Sequence, residues 1–435
     1  MSQFQLSVSS SLQKIFFSNK KKGASRVALF FQEKIDFLLS RLSTSIWGGT
    51  TRSRLSFFNS RFAICFLVAP FFFIAQNTVA QQQEKPKIGL VLSGGGAKGF
   101  AHIGVLKVIE EAGLKIDYIG GTSMGAVIGG LYATGYNAAQ IDSIFQATDF
   151  NELINDFIPR SSKNFYERRN DESYALVLPF HKLKIGIPEA LSKGMYNFNL
   201  LSRITRNVRH IKDFNQLPTP FLCIGTNIET GEEVLLNKGN LAQAMIASSA
   251  FPSLFSPVEI DGKILVDGGV VNNYPIEEVR KLGADIIIGV DVQAGLWDRT
   301  QLKDATKILV QITNLQSIER MKKNITNTDV YIKPDVSQYN VISFDKGGEI
   351  ITKGEEAAFA VFEKIKNLGD DSNPYKKPKL MLISDSLKIK AINTNKLEDY
   401  TKEYINGKLR FKPKTNITYE NLLKGINNIN ATKNF

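Results

Sequence analysis

Cysteine is nearly absent from this chain: 435 residues contain two. Cys65 lies inside an apolar run near the start, which leaves Cys223 without a partner and excludes a fold stapled by internal disulfides. Histidine is almost as scarce, with His102, His181 and His210 as the full set of 3. A serine–histidine–acid triad in α/β-hydrolase order would place its histidine last, after the acid, and none follows His210. No stretch reaches the roughly 20 consecutive apolar residues that a membrane-crossing helix needs, and no internal repeat is visible. Excess positive charge is missing where a nucleic-acid surface would need it. The formal charge is +12, yet 10 of the 54 Lys/Arg and only 2 of the 42 Asp/Glu fall in residues 1–80, so the rest carries 44 against 40. A nucleic-acid footprint belongs on the folded part of a chain, and nucleic acid is not expected as a partner. What is present, 43% apolar and 22% charged residues, is the balance of an ordinary globular protein.

The basic start precedes an apolar run of 14 residues, Phe62 to Ala75, interrupted by Pro70 and followed by Thr78-Val79-Ala80 and three glutamines. A basic region, a short apolar core and a small-x-Ala site make an export signal. Cleavage after Ala80 is the expectation, with an uncleaved anchor as the alternative, and the protein is expected to be periplasmic, outer-membrane-associated or secreted. About 60 residues ahead of the apolar core exceed the usual length of such a signal, so residues 1–50 have no assigned purpose.

From Lys85 the pattern becomes that of an α/β domain. Lys87 to Leu92 is a short, nearly continuous apolar run ending in glycines, as expected of a strand buried on both faces. Residues 98–112 have helical spacing, residues 116–119 read as a second strand, and an apolar helix follows to about Thr134. Two strand–glycine–helix units in succession imply a parallel sheet. Further strands are read at 221–226, 264–266 and 286–290, and residues 150–215 as a cap over the sheet's carboxyl edge, where open α/β sheets bind ligands.

The first chemical motif is Gly94-Gly95-Gly96-Ala97-Lys98-Gly99. Its G-x-G-x-x-G form admits a dinucleotide reading, but the acid that should close the next strand is absent, since Asp117 opens that strand instead. Phe100 stands where a phosphate-binding P-loop needs lysine. The glycines still present backbone N–H groups near a helix start, which suits an anion such as an oxyanion. The second motif, Gly121-Thr122-Ser123-Met124-Gly125, is a G-x-S-x-G at a strand-to-helix turn, where flanking glycines relieve a strained backbone and expose the serine hydroxyl. A serine capping the helix is the competing reading. The third, Asp267-Gly268-Gly269, ends a short strand. A carboxylate there can act as base toward a serine if desolvation raises its pKa; an Asp-Gly turn is the plainer alternative.

These three motifs in order, with the text ASSAFPSLFSPVEIDGKILVDGG, resemble the patatin-like phospholipase family over roughly residues 86–290. The resemblance implies a three-layer α/β/α domain with a mostly parallel sheet, and a serine lipid acyl hydrolase. It further implies Ser123 as nucleophile, Asp267 as base, the N–H groups of Gly95 and Gly96 as oxyanion hole, and Lys98 in that loop's basic place. The expected substrate is a membrane phospholipid or other lipid ester. No cofactor or metal is expected, because no ligand-spaced His/Cys/Asp cluster occurs. Phe165, Tyr174, Leu176, Leu178 and Phe180 are candidates for an acyl-chain cleft, with ordinary core packing as the alternative. An acyltransferase would use the same site.

Residues 291–373 complete the hydrolase domain in this reading, 374–379 form a Pro/Lys linker, and 380–435 a small α+β segment. That segment reads strand (380–392), helix (395–406), then a helix opening at Ile417-Thr418-Tyr419-Glu420 as a capping box. It resembles the first part of a polypeptide-transport-associated (POTRA) domain. The resemblance implies an outer-membrane relationship, and a second functional class in which the chain is a passenger module of a secretion system. An unpaired strand edge there would also suit a homodimer.

Overall fold

The computed structural model describes residues 85–435 except 164, 166–167, 170–179, 182–183, 186–189, 294, 301, 304, 370–372, 379, 381–384, 395–399 and 433–435. The export-signal and anchor readings of residues 1–80 lie outside the described residues.

The domain is organised on an eight-stranded mixed sheet. In chain order its strands are β1 (Ile88–Leu92), β2 (Tyr118–Thr122), β3 (Phe221–Asn227), β4 (Glu233–Leu236), β5 (Val258–Ile260), β6 (Lys263–Asp267), β7 (Ile286–Val290) and β8 (Val330–Ile332). Hydrogen-bonded neighbours follow the path β8-β7-β1-β2-β3-β6-β5, and β4 also pairs with β3, on the edge that β2 and β6 leave free. The pairs from β8 through β3 are parallel. Those of β3 with β4 and β6, and of β5 with β6, are antiparallel.

Alternation along the central strands divides the core. Leu90, Leu92, Phe221, Cys223 and Ile288 face one cluster. Val91, Leu222, Ile224 and Ile287 face the other. The first is covered by α1 (Ala101–Glu111), α2 (Met124–Ala133), α3 (Ala138–Gln146), α6 (Leu241–Ser248) and α9 (Gly347–Phe359). The second is covered by α7 (Ile276–Leu282) and the C-terminal part of α8 (Ala305–Thr326), through Ile276, Val279 and Met321. This is a three-layer α/β/α arrangement. Two short helices, α4 (Phe150–Ile154) and α5 (Met195–Ile204), lie in the cap region.

Several boundaries differ from the sequence reading. β2 begins later and runs through Gly120-Gly121, because α7 lies so close that a Cβ at Gly120 would stand 2.3 Å from Val279 Cγ2. Residues 96–100 form a 3₁₀ turn, so α1 starts only at Ala101. Strands β4, β5 and β8, of three or four residues each, are too short to show alternation and were not read.

The stretch read as a linker lies along the domain. Tyr375 N–H donates to Gly113 O at 2.8 Å, and Lys377 Nζ donates to Tyr132 O at 2.8 Å while standing 3.2 Å from the ring centroid of Tyr132. The C-terminal segment has the order β9 (Ser386–Lys388), α10 (Lys402–Leu409), β10 (Asn416–Thr418) and α11 (Tyr419–Asn430). A strand that the sequence reading lacked thus separates the helices and pairs antiparallel with β9. Thr418 does cap α11 by accepting from Asn421 N–H at 3.1 Å. The reciprocal half of a capping box is missing, because the third helical position is Asn421 rather than an acid.

Candidate active site

Ser123 and Asp267, 144 residues apart, meet because β2 and β6 lie end to end along the same edge of β3. Thr122 stands opposite Ile224, and Asp267 opposite the next residue, Gly225. β4 occupies the other edge at both positions. One strand runs parallel to β3 and the other antiparallel, so their C-terminal ends converge. The Ser123 hydroxyl donates to Asp267 Oδ2 at 2.6 Å. The Thr122 hydroxyl donates to Asn272 O at 2.9 Å and ties the serine's strand to the turn that follows the aspartate. That turn is anchored in its own right: Asn272 Nδ2 donates to Glu233 and Glu278, which Arg320 of α8 bridges.

The backbone at Ser123 has φ 54° and ψ −125°, a strained conformation for a residue with a side chain. It is held by Ser248 Oγ, which accepts the Ser123 N–H at 3.1 Å, and by close backbone crossings. A Cβ at Gly125 would stand 2.2 Å from Leu92 O, so no other residue fits. The Ser123 side chain makes no capping bond to α2, which sets aside the helix-cap reading.

Asp267 is 4% exposed. Burial pushes its carboxyl up from 3.8 to about 6, against hydrogen bonds from Ser123 and Gly269 that favour the ionised form. The two readings of this aspartate coexist on its two oxygens. Oδ1 accepts the turn N–H of Gly269 at 2.7 Å, and Oδ2 faces the serine.

The glycine loop is pinned at its start. Ser93 N–H donates to Val290 O at 3.0 Å, and Ser93 Oγ accepts from Val292 N–H at 2.9 Å. His102 Nε2 bonds Ser93 O at 2.8 Å. His102 is fully buried, and its imidazole is pushed down to about 4 by burial, so it is neutral and donates to that carbonyl. Asn273 is bonded to both backbone groups of Gly94. At the far end Gly96 has φ +57°, and a Cβ there would stand 2.3 Å from Val341 O; Ala97 N–H donates to the same oxygen at 2.8 Å. The N–H groups of Gly94 and Ala97 are therefore engaged, while those of Gly95 and Gly96 have no acceptor among the described residues. Lys98 is 3% exposed, and its ammonium is pushed down to about 8 by burial and by repulsion from Lys333.

The remaining expectations divide. Asp117 accepts the Ile88 N–H at 3.0 Å and pairs with Lys115, which leaves it no ribose-binding role. His210 is exposed, and the side chain of His181 lies outside the described residues. Among the described residues no cluster of three or more His, Cys, Asp or Glu could hold a metal.

A cavity of about 550 Å³ opens over the pair, lined by Ser123, Asp267, the glycine loop and a mainly apolar wall that includes Leu131, Phe145, Ile204, Leu254, Val310 and Phe344. Phe165 is 72% exposed and takes no part in this lining, a correction to the sequence reading. Residues 174, 176 and 178 and the side chain of Phe180 lie outside the described residues. The wall comes instead from α2, α3, α4, α5, α8 and residues 249–255, which the three-dimensional fold gathers from across the chain.

Fold and site together define an α/β/α domain that sets a serine hydroxyl on a buried carboxylate beneath a glycine-rich loop. Residues 90–280 match the family model described as Patatin-like phospholipase. The chain is similar to Lysophospholipase NTE1 of Pyricularia oryzae, 27% identical over 310 residues that cover 65% of this chain and 19% of that protein. It is also similar to Lysophospholipase NTE1 of Saccharomyces cerevisiae, 28% identical over 314 residues covering 66% and 17%. The chain thus spans about a fifth of the length of these relatives. Among solved structures it is similar to VipD from Legionella pneumophila (17% identity, TM-score 0.36, covering 64% of this chain and 67% of that one). A second is the ExoU–SpcU complex from Pseudomonas aeruginosa (17% identity, TM-score 0.35, covering 65% and 52%).

Proposed function

We propose that the protein is a lipid acyl hydrolase that cleaves carboxylic esters through an acyl-Ser123 intermediate. Ser123 Oγ attacks the ester carbonyl carbon while Asp267 Oδ2 takes its proton, and the N–H groups of Gly95 and Gly96 stabilise the resulting oxyanion. Collapse of the tetrahedral intermediate expels the alcohol, to which Asp267 returns the proton. Water then attacks the acyl-serine with Asp267 again as base, releasing the carboxylic acid and restoring Ser123.

The observation that carries this reading is the 2.6 Å bond from Ser123 to a carboxylate that burial has pushed to about 6, at the floor of an apolar cavity. A base is most effective when its pKa lies near the working pH. The match to the patatin-like phospholipase model and the lysophospholipase relatives support a lipid ester as substrate. The test is hydrolysis of phosphatidylcholine, lysophosphatidylcholine and p-nitrophenyl butyrate, together with covalent labelling by a fluorophosphonate. Ser123→Ala should abolish hydrolysis and labelling alike, and undiminished hydrolysis by that variant would overturn the mechanism. We also propose that the protein is exported, a reading supported by the basic flank, the Phe62–Ala75 run and Thr78-Val79-Ala80.

A further inference from the structure

Every polar atom of the Asn272 side chain is engaged. Its Oδ1 accepts the Tyr274 N–H at 3.3 Å, and its Nδ2 donates to Glu233 Oε2 and to Glu278 Oε2, each at 3.1 Å. Glu233 comes from β4 and Glu278 from α7. Arg320 of α8 closes the ring, with Nη1 donating to Glu233 Oε2 at 2.6 Å and Nη2 to Glu278 Oε1 at 2.9 Å. Two carboxylates thus meet on one amide nitrogen, and a single guanidinium offsets their mutual repulsion. Burial pushes the Glu278 carboxyl up from its ordinary value, the charge of Glu233 pushes it further, and Arg320 opposes both. The neighbouring charges on the same two helices, Glu277 and Lys323, pair with each other at 3.1 Å.

Asn272 reaches the site through its main chain. Its carbonyl accepts the hydroxyl of Thr122, the residue before Ser123, at 2.9 Å. Its N–H donates at 2.9 Å to the carbonyl of Gly268, the residue after Asp267. Asn273, next in the chain, holds both backbone groups of Gly94 at the start of the glycine loop. Asn324, one turn beyond Arg320 on α8, donates to Tyr274 O at 2.7 Å. α8 therefore fixes residues 272–274 at both ends, and those residues touch the serine's strand, the turn after Asp267 and the glycine loop.

We propose that Arg320 is a positioning residue for the reaction: it keeps both acids on Asn272 by neutralising them, and through Asn272 it holds Ser123 and Asp267 in register for proton transfer. This rests on the acyl-Ser123 reading of the site. Without the guanidinium, one acid must leave Asn272 Nδ2 or take up a proton, because like charges this close repel. Arg320 does not line the cavity, so its loss should be felt in kcat and not in KM.

The test compares Arg320→Met with Arg320→Met/Glu233→Gln. It reads steady-state hydrolysis of p-nitrophenyl butyrate and the rate of fluorophosphonate labelling, with circular dichroism for the fold. Arg320→Met should lower kcat and the labelling rate by about 10- to 100-fold with KM nearly unchanged, since small displacements of reacting groups cost up to about 10²-fold. The second change removes one of the opposed charges, while the amide oxygen that replaces the carboxylate still accepts from Asn272. It should return both rates to within about threefold of wild type, as coupled neighbours behave. An unchanged kcat in Arg320→Met overturns the proposal. So does a loss expressed in KM alone, or one that the second change fails to relieve, as when the guanidinium is only part of the packing. If Arg320→Met does not fold, the double variant decides: folded and near the wild-type rate it supports the proposal, and unfolded or slow it overturns it. Ser123→Ala keeps the two readings apart. Hydrolysis lost in Ser123→Ala but unaltered in Arg320→Met sinks the positioning role and leaves the hydrolase, whereas hydrolysis retained in Ser123→Ala sinks the acyl-serine reading itself.

Discussion

Asn273 grips both backbone groups of Gly94: the Gly94 N–H donates to Oδ1 at 3.1 Å, and Nδ2 donates to the Gly94 carbonyl at 3.2 Å. Through this contact the segment that follows Asp267 is tied to the loop that carries the N–H groups of Gly95 and Gly96. Ser123, Asp267 and the proposed oxyanion donors thereby share one frame.

Asn273→Ala should lower kcat by about 10- to 100-fold with KM nearly unchanged, since small displacements of a positioned group cost up to about 10²-fold in rate. Steady-state kinetics on p-nitrophenyl butyrate, with circular dichroism to verify the fold, reads this out. An unchanged kcat would mean that Ser93 and Val341 hold the loop without it.

Ser123→Ala and Asp267→Asn should each remove ester hydrolysis, and the double variant should be hardly worse than either, as groups that act as one unit behave. Replacing His102, His181 and His210 should spare the chemistry except through His102, whose bond to Ser93 O supports the loop.

Asp267→Asn should also stabilise the protein. The folded carboxyl is raised from 3.8 to about 6, so the unfolded chain releases this proton first. The contribution of Asp267 is fully present below pH 3.8, is lost as pH rises through about 6, and stays lost above. That span corresponds to about 3 kcal/mol, which the asparagine variant should recover in part at pH 8 and not at pH 4. Denaturant melts at the two pH values measure it, and equal gains at both would contradict burial of the charge.

The same carboxyl should set the acid limb of activity. kcat/KM should fall as pH drops below about 6, where Asp267 takes up a proton and can no longer accept one from Ser123. A pH–rate profile flat from 5 to 8 would sink the assignment of the base.

Export predicts a mature N-terminus at Gln81, or its cyclised form, in the native host. Mass spectrometry that finds Phe62–Ala75 retained in the mature protein would instead indicate an anchored chain.

The two glycine motifs and Asp267-Gly268-Gly269 were legible in the chain itself because their chemistry is local. Only glycine tolerates φ +57° against Val341 O or the crossing at Gly125, so the need is written at the position that bears it. The long apolar strands β1, β3 and β7 were legible for a similar reason, since burial on both faces leaves a continuous apolar run. Asn273 and Ser248 carried no such mark. They act on partners 179 and 125 residues away, and a lone polar side chain has no period and no required neighbour. The end-to-end seating of β2 and β6 on one edge of β3 was likewise invisible, because strand order is decided by which edges are free once the sheet assembles. The sequence alone marked Ser123 and Asp267 as the candidate pair. Only the packed sheet decided that Ser123 would face Asp267, that burial would raise its carboxyl to about 6, and that the cavity above them would be apolar.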